Sequence, residues 1–303
     1  MTSALTRASD RVQAWALDRL VGFLRLLSPA RASDFGGWLF HTVGPLLPVS
    51  RVAHGNLAAA MPELDAAARR RVVRGVWDNL GRTSAELPHL SRLRETAHGP
   101  GWEIVGLEHV VPWRAGPIVF VSGHYSNWEL LIPIEAQAGT RIAGIYRPAS
   151  NLVVNALIQR LRAEADGGRV TWFAKGAPGA RAAVKHIAGG GALAMLADQK
   201  MNDGIPVPFF GRPAMTAPAL AYFALKYRAP IIPAYMTRIG PARFRMVYEA
   251  PLDVPVTGDR TADVQAIMLA VNQTLERWIR ADPAAWLWLH RRWPRPASAD
   301  AVV

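Results

Sequence analysis

The chain has no cysteine in 303 residues. That absence excludes a disulfide framework, a thiol nucleophile and any zinc or iron–sulfur site with cysteine ligands, and it fits a reducing compartment. Long apolar runs are missing too. A membrane-crossing helix takes roughly twenty consecutive apolar residues. Residues 12–27 include Asp18, Arg19 and Arg25, and the uncharged run 35–50 holds Pro45 and Pro48. Residues 1–10 lead into charged sequence instead of an unbroken apolar stretch with a cleavage site, so no secretory signal is read and the chain is expected to stay inside the cell. No His-Glu-x-x-His motif is present, and Gly189-Gly-Gly191 lacks the Lys-Ser/Thr of a phosphate-binding loop, so it reads as a turn before a strand. Internal repeats and long linkers are also missing.

Acidic residues are the scarcer charge: 23 against 35 Lys and Arg, a net +12 and an isoelectric point near 10.9. Such a balance favours anionic partners. The basic residues are scattered among Trp, Leu and Phe and do not form Lys-rich blocks, which suits an anionic membrane surface better than a duplex, and no nucleic acid is expected. Half the residues are apolar, ample for a core.

Val12, Trp15, Ala16, Leu20, Phe23, Leu24 and Leu27 recur at helical spacing, which predicts an amphipathic N-terminal helix. Trp15, Phe23 and the flanking arginines favour a membrane interface over a purely packed face. Residues 36–49 extend the same apolar surface. Residues 65–95 read as helical, with Arg69, Arg70, Arg71 and Arg74 on a solvated face. Strands are then expected near 117–122, 141–146, 170–173, 192–197 and 230–237, with helices near 127–138, 151–164, 179–188 and 214–228, followed by a strand at 243–249 and a helix at 261–279. This alternation predicts an α/β fold with a mostly parallel central sheet flanked by helices. The expected organisation is a membrane-associating segment 1–50, a single α/β domain 51–295 and a frayed tail 296–303.

The segment Val121-Ser-Gly-His-Tyr-Ser-Asn-Trp-Glu129 directly follows an apolar strand. Five residues of ideal helix turn through about 500°, so His124 and Glu129 meet only if His124 precedes the helix. Gly123 breaks the strand, and Ser126 or Asn127 can cap a helix, which leaves His124 on the turn with Glu129 behind it. A neutral imidazole held by a carboxylate is a suitable general base for a hydroxyl. Active-site groups in open α/β sheets gather at the carboxyl ends of strands. Arg147 and Asp198 occupy such ends and are candidates for substrate or oxyanion positioning. With no third ligand evident beside His124 and Glu129, no metal site is expected.

The His-x-x-x-x-Glu segment resembles the His-x4-Asp/Glu signature of membrane acyltransferases, in the branch of the late lipid A acyltransferases. Further matching blocks follow in order: Arg51-Val-Ala-His-Gly-Asn-Leu57 with Pro62, Tyr146-Arg-Pro148, Ala197-Asp-Gln199, Val207-Pro-Phe-Phe-Gly211 with Thr216, and Trp286-Leu-Trp-Leu-His-Arg-Arg-Trp293. The resemblance implies transfer of a fatty acyl group from an acyl carrier protein or coenzyme A thioester to a hydroxyl of a lipid A precursor at the cytoplasmic face of the inner membrane, without a further cofactor. His124 is then the base and Glu129 its partner. Arg147, or backbone amides near the start of the 127–138 helix, is the oxyanion donor. Arg162, Lys175 and Arg212 are candidates for acceptor phosphates or sugars, and Phe209, Phe210 and Met215 for the acyl channel. Other glycolipids or lysophospholipids as acceptors, and a non-catalytic basic membrane-binding protein, are the competing readings. Residues 286–293 form either an aromatic-basic membrane patch or a packed C-terminal segment.

Overall fold

The computed structural model describes residues 4–293, with side chains from Asp10 onward; the expected tail at 296–303 lies outside the described residues. Four helices come first: α1 (Ala4–Leu26), α2 (Pro29–Val43), α3 (Ser50–Ala60) and α4 (Ala66–Glu86). Ser28 and Asp65 cap α2 and α4 by accepting from backbone amides three residues on. The αβ alternation follows as β1 (Gly101–Val105), β2 (Ile118–Ser122), α5 (Leu131–Gln137), β3 (Ile142–Tyr146), α6 (Leu152–Asp166), β4 (Thr171–Ala174), α7 (Ala177–Ala188) and β5 (Ala192–Leu196). The chain continues through β6 (Ile205–Phe209), β7 (Arg212–Thr216), α8 (Ala219–Tyr227), β8 (Ile231–Gly240), β9 (Arg243–Tyr248) and α9 (Arg260–Ala281).

Seven strands form one sheet in the order β1-β9-β8-β2-β5-β3-β4, parallel throughout except for the β8–β9 pair. The fold is therefore α/β with a mostly parallel sheet, as the alternation predicts. β2 is buried along its whole length because both faces are covered. Val119 and Val121 join one core with residues of α3, α4, α7, α8 and α9, while Ile118 and Phe120 join a second core with Leu130, Leu131, Ile134 and Ala165. Each fully buried side chain of this size contributes about 1.5–3 kcal/mol, so a polar residue in place of Ile118, Val119, Phe120 or Val121 is not tolerated.

α2 packs directly on α4. A Cβ at Gly36 would lie 2.3 Å from the Gly81 carbonyl oxygen, so glycine at this crossing is what lets the backbones touch. On α1, Val21 and Leu24 are buried, whereas Val12, Trp15, Leu20, Phe23 and Leu26 are exposed, together with Trp38, Leu46 and Leu47 beyond it. A mostly apolar cleft of about 400 Å³ lies between α1 and α6, lined by Ala14, Leu17, Leu152, Val153, Ala156 and Leu157 together with the Asp18–Arg160 ion pair. Among the described residues, no helix is long and apolar enough to cross a membrane.

One expected helix begins late. Residues 214–216 belong to β7, which pairs antiparallel with β6, and α8 starts only at Ala219. The hairpin turns on Phe210 (φ 52°) and Gly211 (φ 68°), the pair of positive φ angles that a two-residue turn of the primed type demands. Pro206, Pro208 and Pro213 within these strands disguise them in the sequence, since proline is confined to edges. The expected helix 127–138 likewise opens as a 3-10 turn, Trp128–Leu130, before α5.

Candidate active site

Strand register builds the centre of the site. β2 and β5 are parallel neighbours, with Ser122 opposite Leu196 and the Ala197 amide donating to the Ser122 carbonyl at 2.9 Å. Two steps further along each strand stand His124 and Asp198. The His124 amide donates to Asp198 Oδ2 at 2.7 Å, and Nδ1 of the ring lies 2.9 Å from Oδ1. Gly123 permits this approach, because a Cβ there would sit 3.3 Å from Asp198 Oδ2 and 3.0 Å from Leu275. Trp286 donates its indole N–H to Oδ2 at 2.7 Å, so Asp198 is fully buried and accepts three hydrogen bonds.

Burial by itself raises the Asp198 carboxyl, but the charge and hydrogen bonds of His124, with His290 close by, outweigh it and hold the group well below the usual carboxylate range. An ionised carboxylate only accepts, so the ring proton of His124 resides on Nδ1 and Nε2 carries the free lone pair. Nε2 faces Gln199, whose side-chain amide donates to it at 3.2 Å. The His124 side chain is 18% exposed, so the ring is largely covered but not sealed.

The sequence-based partner of His124 requires correction. Glu129 does not hydrogen-bond to His124. Its carboxylate accepts both Nε and Nη2 of Arg162 at 2.8 Å, and the Trp128 indole N–H at 3.1 Å. The reason is local: Asn127 caps the 3-10 turn by accepting from the Glu129 amide, and the turn carries Glu129 toward α6. Trp128 touches both groups, its ring 5.2 Å from that of His124. Asp198 is corrected as well: as a buried anion it orients the imidazole and cannot stabilise an oxyanion. Arg162, expected to hold acceptor phosphate, spends two donors on Glu129 and stacks its guanidinium 4.3 Å from Trp172. Of the backbone amides named as oxyanion donors, those of Glu129 and Leu130 are already spent within the turn.

Phe209 and Phe210 are buried in an aromatic cluster with Trp286, Trp288 and Trp293, where Phe209 stacks on Trp293 at 5.6 Å, so they are core and not channel lining. Met215 is half-buried, and its carbonyl accepts from Arg292. Arg212 is half-buried over the Trp293 ring. Arg147 and Lys175 are exposed and neighbouring: each follows its strand, and the Lys175 amide donates to the Tyr146 carbonyl at 2.8 Å. Both stand on the rim that carries His124, and among the described residues neither has an acidic partner.

Residues 286–293 are a packed segment that encloses the site. The Leu287 amide donates to the His124 carbonyl at 3.0 Å, and the Ser126 amide to the Ala285 carbonyl at 2.8 Å, pinning the turn that carries His124 from both sides. Asn56 on α3 clamps the segment by donating to the carbonyls of Trp288 and His290. Thr216, without a role in the sequence reading, accepts from the buried Arg292 at 2.8 Å. Burial pushes the Arg292 guanidinium down to about 10, while the charge of Asp198 pulls it back up. From the other side, α4 anchors the turn: buried Glu86 accepts from Asn127 at 2.8 Å and pairs with Arg238, and Asn79 and Thr83 donate to the Ser126 carbonyl. No signal in the sequence marked Gln199, Trp286 or Arg292 individually, although each lies in or beside a matching block.

An imidazole oriented by a buried carboxylate, on a rim that also carries the exposed cations Arg147 and Lys175, has the chemistry to deprotonate a hydroxyl of an anionic acceptor. Comparison with curated proteins finds no match. The chain belongs to the bacterial lipid A biosynthesis acyltransferase family, whose model it matches over residues 7–295.

Proposed function

We propose that this acyltransferase moves a fatty acyl chain from the thioester of acyl carrier protein, or of coenzyme A, to a hydroxyl of a lipid A precursor, with His124 as general base and Asp198 as its orienting partner. The observation that carries this reading is the doubly bonded His124–Asp198 pair, which leaves Nε2 as the unprotonated nitrogen of the ring. Nε2 takes the acceptor proton as the hydroxyl oxygen attacks the thioester carbonyl carbon. The C–O bond forms, the C–S bond breaks, and the proton on Nε2 passes to the departing thiolate. No acyl-enzyme is required. Asp198 stabilises the transient imidazolium across the 2.9 Å contact.

Charge developing on the thioester oxygen calls for a donor worth roughly 3 kcal/mol. Arg147 is the exposed cation on the same rim, and Lys175 beside it is suited to an acceptor phosphate. Glu129 and Arg162 act as a structural brace that fixes Trp128 against the imidazole. The exposed apolar residues of α1 and α2, with Arg19 and Arg31 among them, lie at the cytoplasmic surface of the inner membrane, and the cleft between α1 and α6 extends that apolar face. A net charge of +12 supports both this surface and docking of an acidic carrier.

The test is acyl transfer from carrier-protein thioester to a tetra-acylated lipid A precursor, comparing wild type with His124→Ala, Asp198→Asn and Glu129→Gln in membranes. Loss in the first two, with partial activity in the third, supports the reading. Transfer to lysophospholipid or mannoside acceptors alone overturns the lipid A assignment, and wild-type turnover by His124→Ala overturns the base.

A further inference from the structure

Nε2 of His124 is already occupied. It accepts a hydrogen bond from the Gln199 carboxamide at 3.2 Å, and the position of that amide nitrogen is where an acceptor oxygen has to come to surrender its proton. We propose that Gln199 guards the base: its amide holds the place of the acceptor hydroxyl in the resting enzyme, keeps water off Nε2, and yields only to a bound acceptor. The inference rests on His124 acting as the base and adds a determinant of choice between acceptor and water.

Every thioester-using transferase faces the same competition at its base. Water at 55 M is a competing acceptor whose attack releases free acid and thiol by the same bond changes: a C–O bond forms, the C–S bond breaks, and the proton passes through Nε2 to the thiolate. Excluding water from the base is therefore a condition for transfer. Here the imidazole side chain is only 18% exposed, and the group that meets Nε2 is the Gln199 carboxamide.

Gln199 suits the task because its position is set by the residue before it. Asp198 is immobilised by His124 and Trp286, so the next side chain leaves a fixed backbone and reaches Nε2 directly. The charged and titratable groups around His124 do not compete for that nitrogen. Asp198 engages Nδ1, His290 directs Nδ1 to the Leu287 carbonyl and Nε2 toward the Asp198 carbonyl with its ring 6.5 Å away, and Arg292 is bonded to Met215 and Thr216. Glu129 is paired with Arg162. A carboxamide also carries both a donor and an acceptor, so once Nε2 is protonated Gln199 can present its oxygen after an amide flip.

The absence of cysteine makes the test clean, because every thiol detected comes from the donor. Lauroyl-coenzyme A and the lauroyl thioester of acyl carrier protein are incubated with detergent-solubilised full-length protein, and thiol release is followed with and without lipid A precursor. In wild type, release without acceptor is slow. Losing a hydrogen bond of about 1 kcal/mol makes Gln199→Ala hydrolyse the thioester about fivefold faster while transfer gains nothing. Gln199→Asn, one methylene too short to reach Nε2, behaves like Ala. Gln199→Glu has the opposite sign: a carboxylate cannot donate to the lone pair and instead holds the imidazolium, so hydrolysis and transfer both fall near neutral pH and recover as pH rises.

A merely structural role for Gln199 lowers both reactions in all three variants, and that result overturns the guard. So does an unchanged ratio of hydrolysis to transfer in Gln199→Ala. His124→Ala separates the two claims: if it releases thiol as fast as wild type, the base assignment fails, whereas a silent His124→Ala beside a Gln199→Ala that matches wild type leaves the base standing and removes the guard alone.

Discussion

Asp198→Asn is the substitution that most directly interrogates the site, because its effect follows from counting donors. In wild type, Oδ2 accepts from the His124 amide and the Trp286 indole, and Oδ1 faces Nδ1–H of the ring. Asparagine is the same shape but has one oxygen. Two fixed donors converge on the Oδ2 position, so the amide oxygen settles there and the NH2 group turns to Nδ1. Nδ1 must then accept, the ring proton moves to Nε2, and the base is gone. In hydrolases the equivalent tautomer inversion costs about 10⁴ in turnover, which corresponds to about 5.5 kcal/mol in the barrier. All three hydrogen bonds survive in kind, so the fold is expected to keep its thermal midpoint within about 5 °C. Asp198→Ala is the contrast: it leaves the His124 amide and the Trp286 indole buried and unpaired, at about 1–3 kcal/mol each. Single-turnover acyl transfer and calorimetry together give the answer. An Asp198→Asn protein that is folded and turns over within tenfold of wild type refutes the tautomer argument, as does an Ala variant more stable than the Asn one.

Other consequences are open to measurement. Arg238→Met removes the cation paired with fully buried Glu86, the residue that also holds Asn127 beneath the His124 turn; urea unfolding is expected to show a loss of about 3–5 kcal/mol. Burial lowers His89, His186 and His290 below their ordinary 6.5, each opposed by hydrogen bonds to backbone carbonyls. The folded chain then binds fewer protons than the unfolded one below pH 6.5, so stability falls on acidification from pH 7 to 5, and His89→Gln flattens that slope in thermal melts. Trp15→Asp with Leu26→Asp places charges where the side chains are 62% and 85% exposed, so folding is spared while partition into anionic vesicles drops at least tenfold in a sedimentation assay.

Much of the sheet was legible because its central strands are buried on both faces and therefore read as apolar runs: Ile118–Ser122, Ile142–Tyr146 and Ala192–Leu196 lie close to where the sequence places them. The β6–β7 hairpin was hidden because three prolines argue against strands, and its turn depends on Phe210 accepting a positive φ that few residues of its size adopt. His124 was legible as a polar group at the carboxyl end of β2, and its hydrogen-bonded partner was not. Spacing along one segment makes Glu129 the natural choice, whereas the partner is chosen by the register of two strands whose relevant residues are 74 positions apart.

The same physics explains why the matching blocks are so dispersed. Asn56, His124, Asp198, Thr216 and residues 286–293 look like separate marks in the sequence, yet they form one connected hydrogen-bonded shell. Asn56 holds the carbonyls of Trp288 and His290, Trp286 holds Asp198, Asp198 holds His124, and Thr216 takes the buried Arg292. Each contact buries a polar group that is costly to leave unpaired, so the members constrain one another. Glu129 belongs to a second bundle of contacts, with Arg162, Trp128 and Trp172, that meets the first at the imidazole. Glu129 thus stands five positions from His124 without sharing its proton, because its carboxylate holds Trp128 and Arg162 instead.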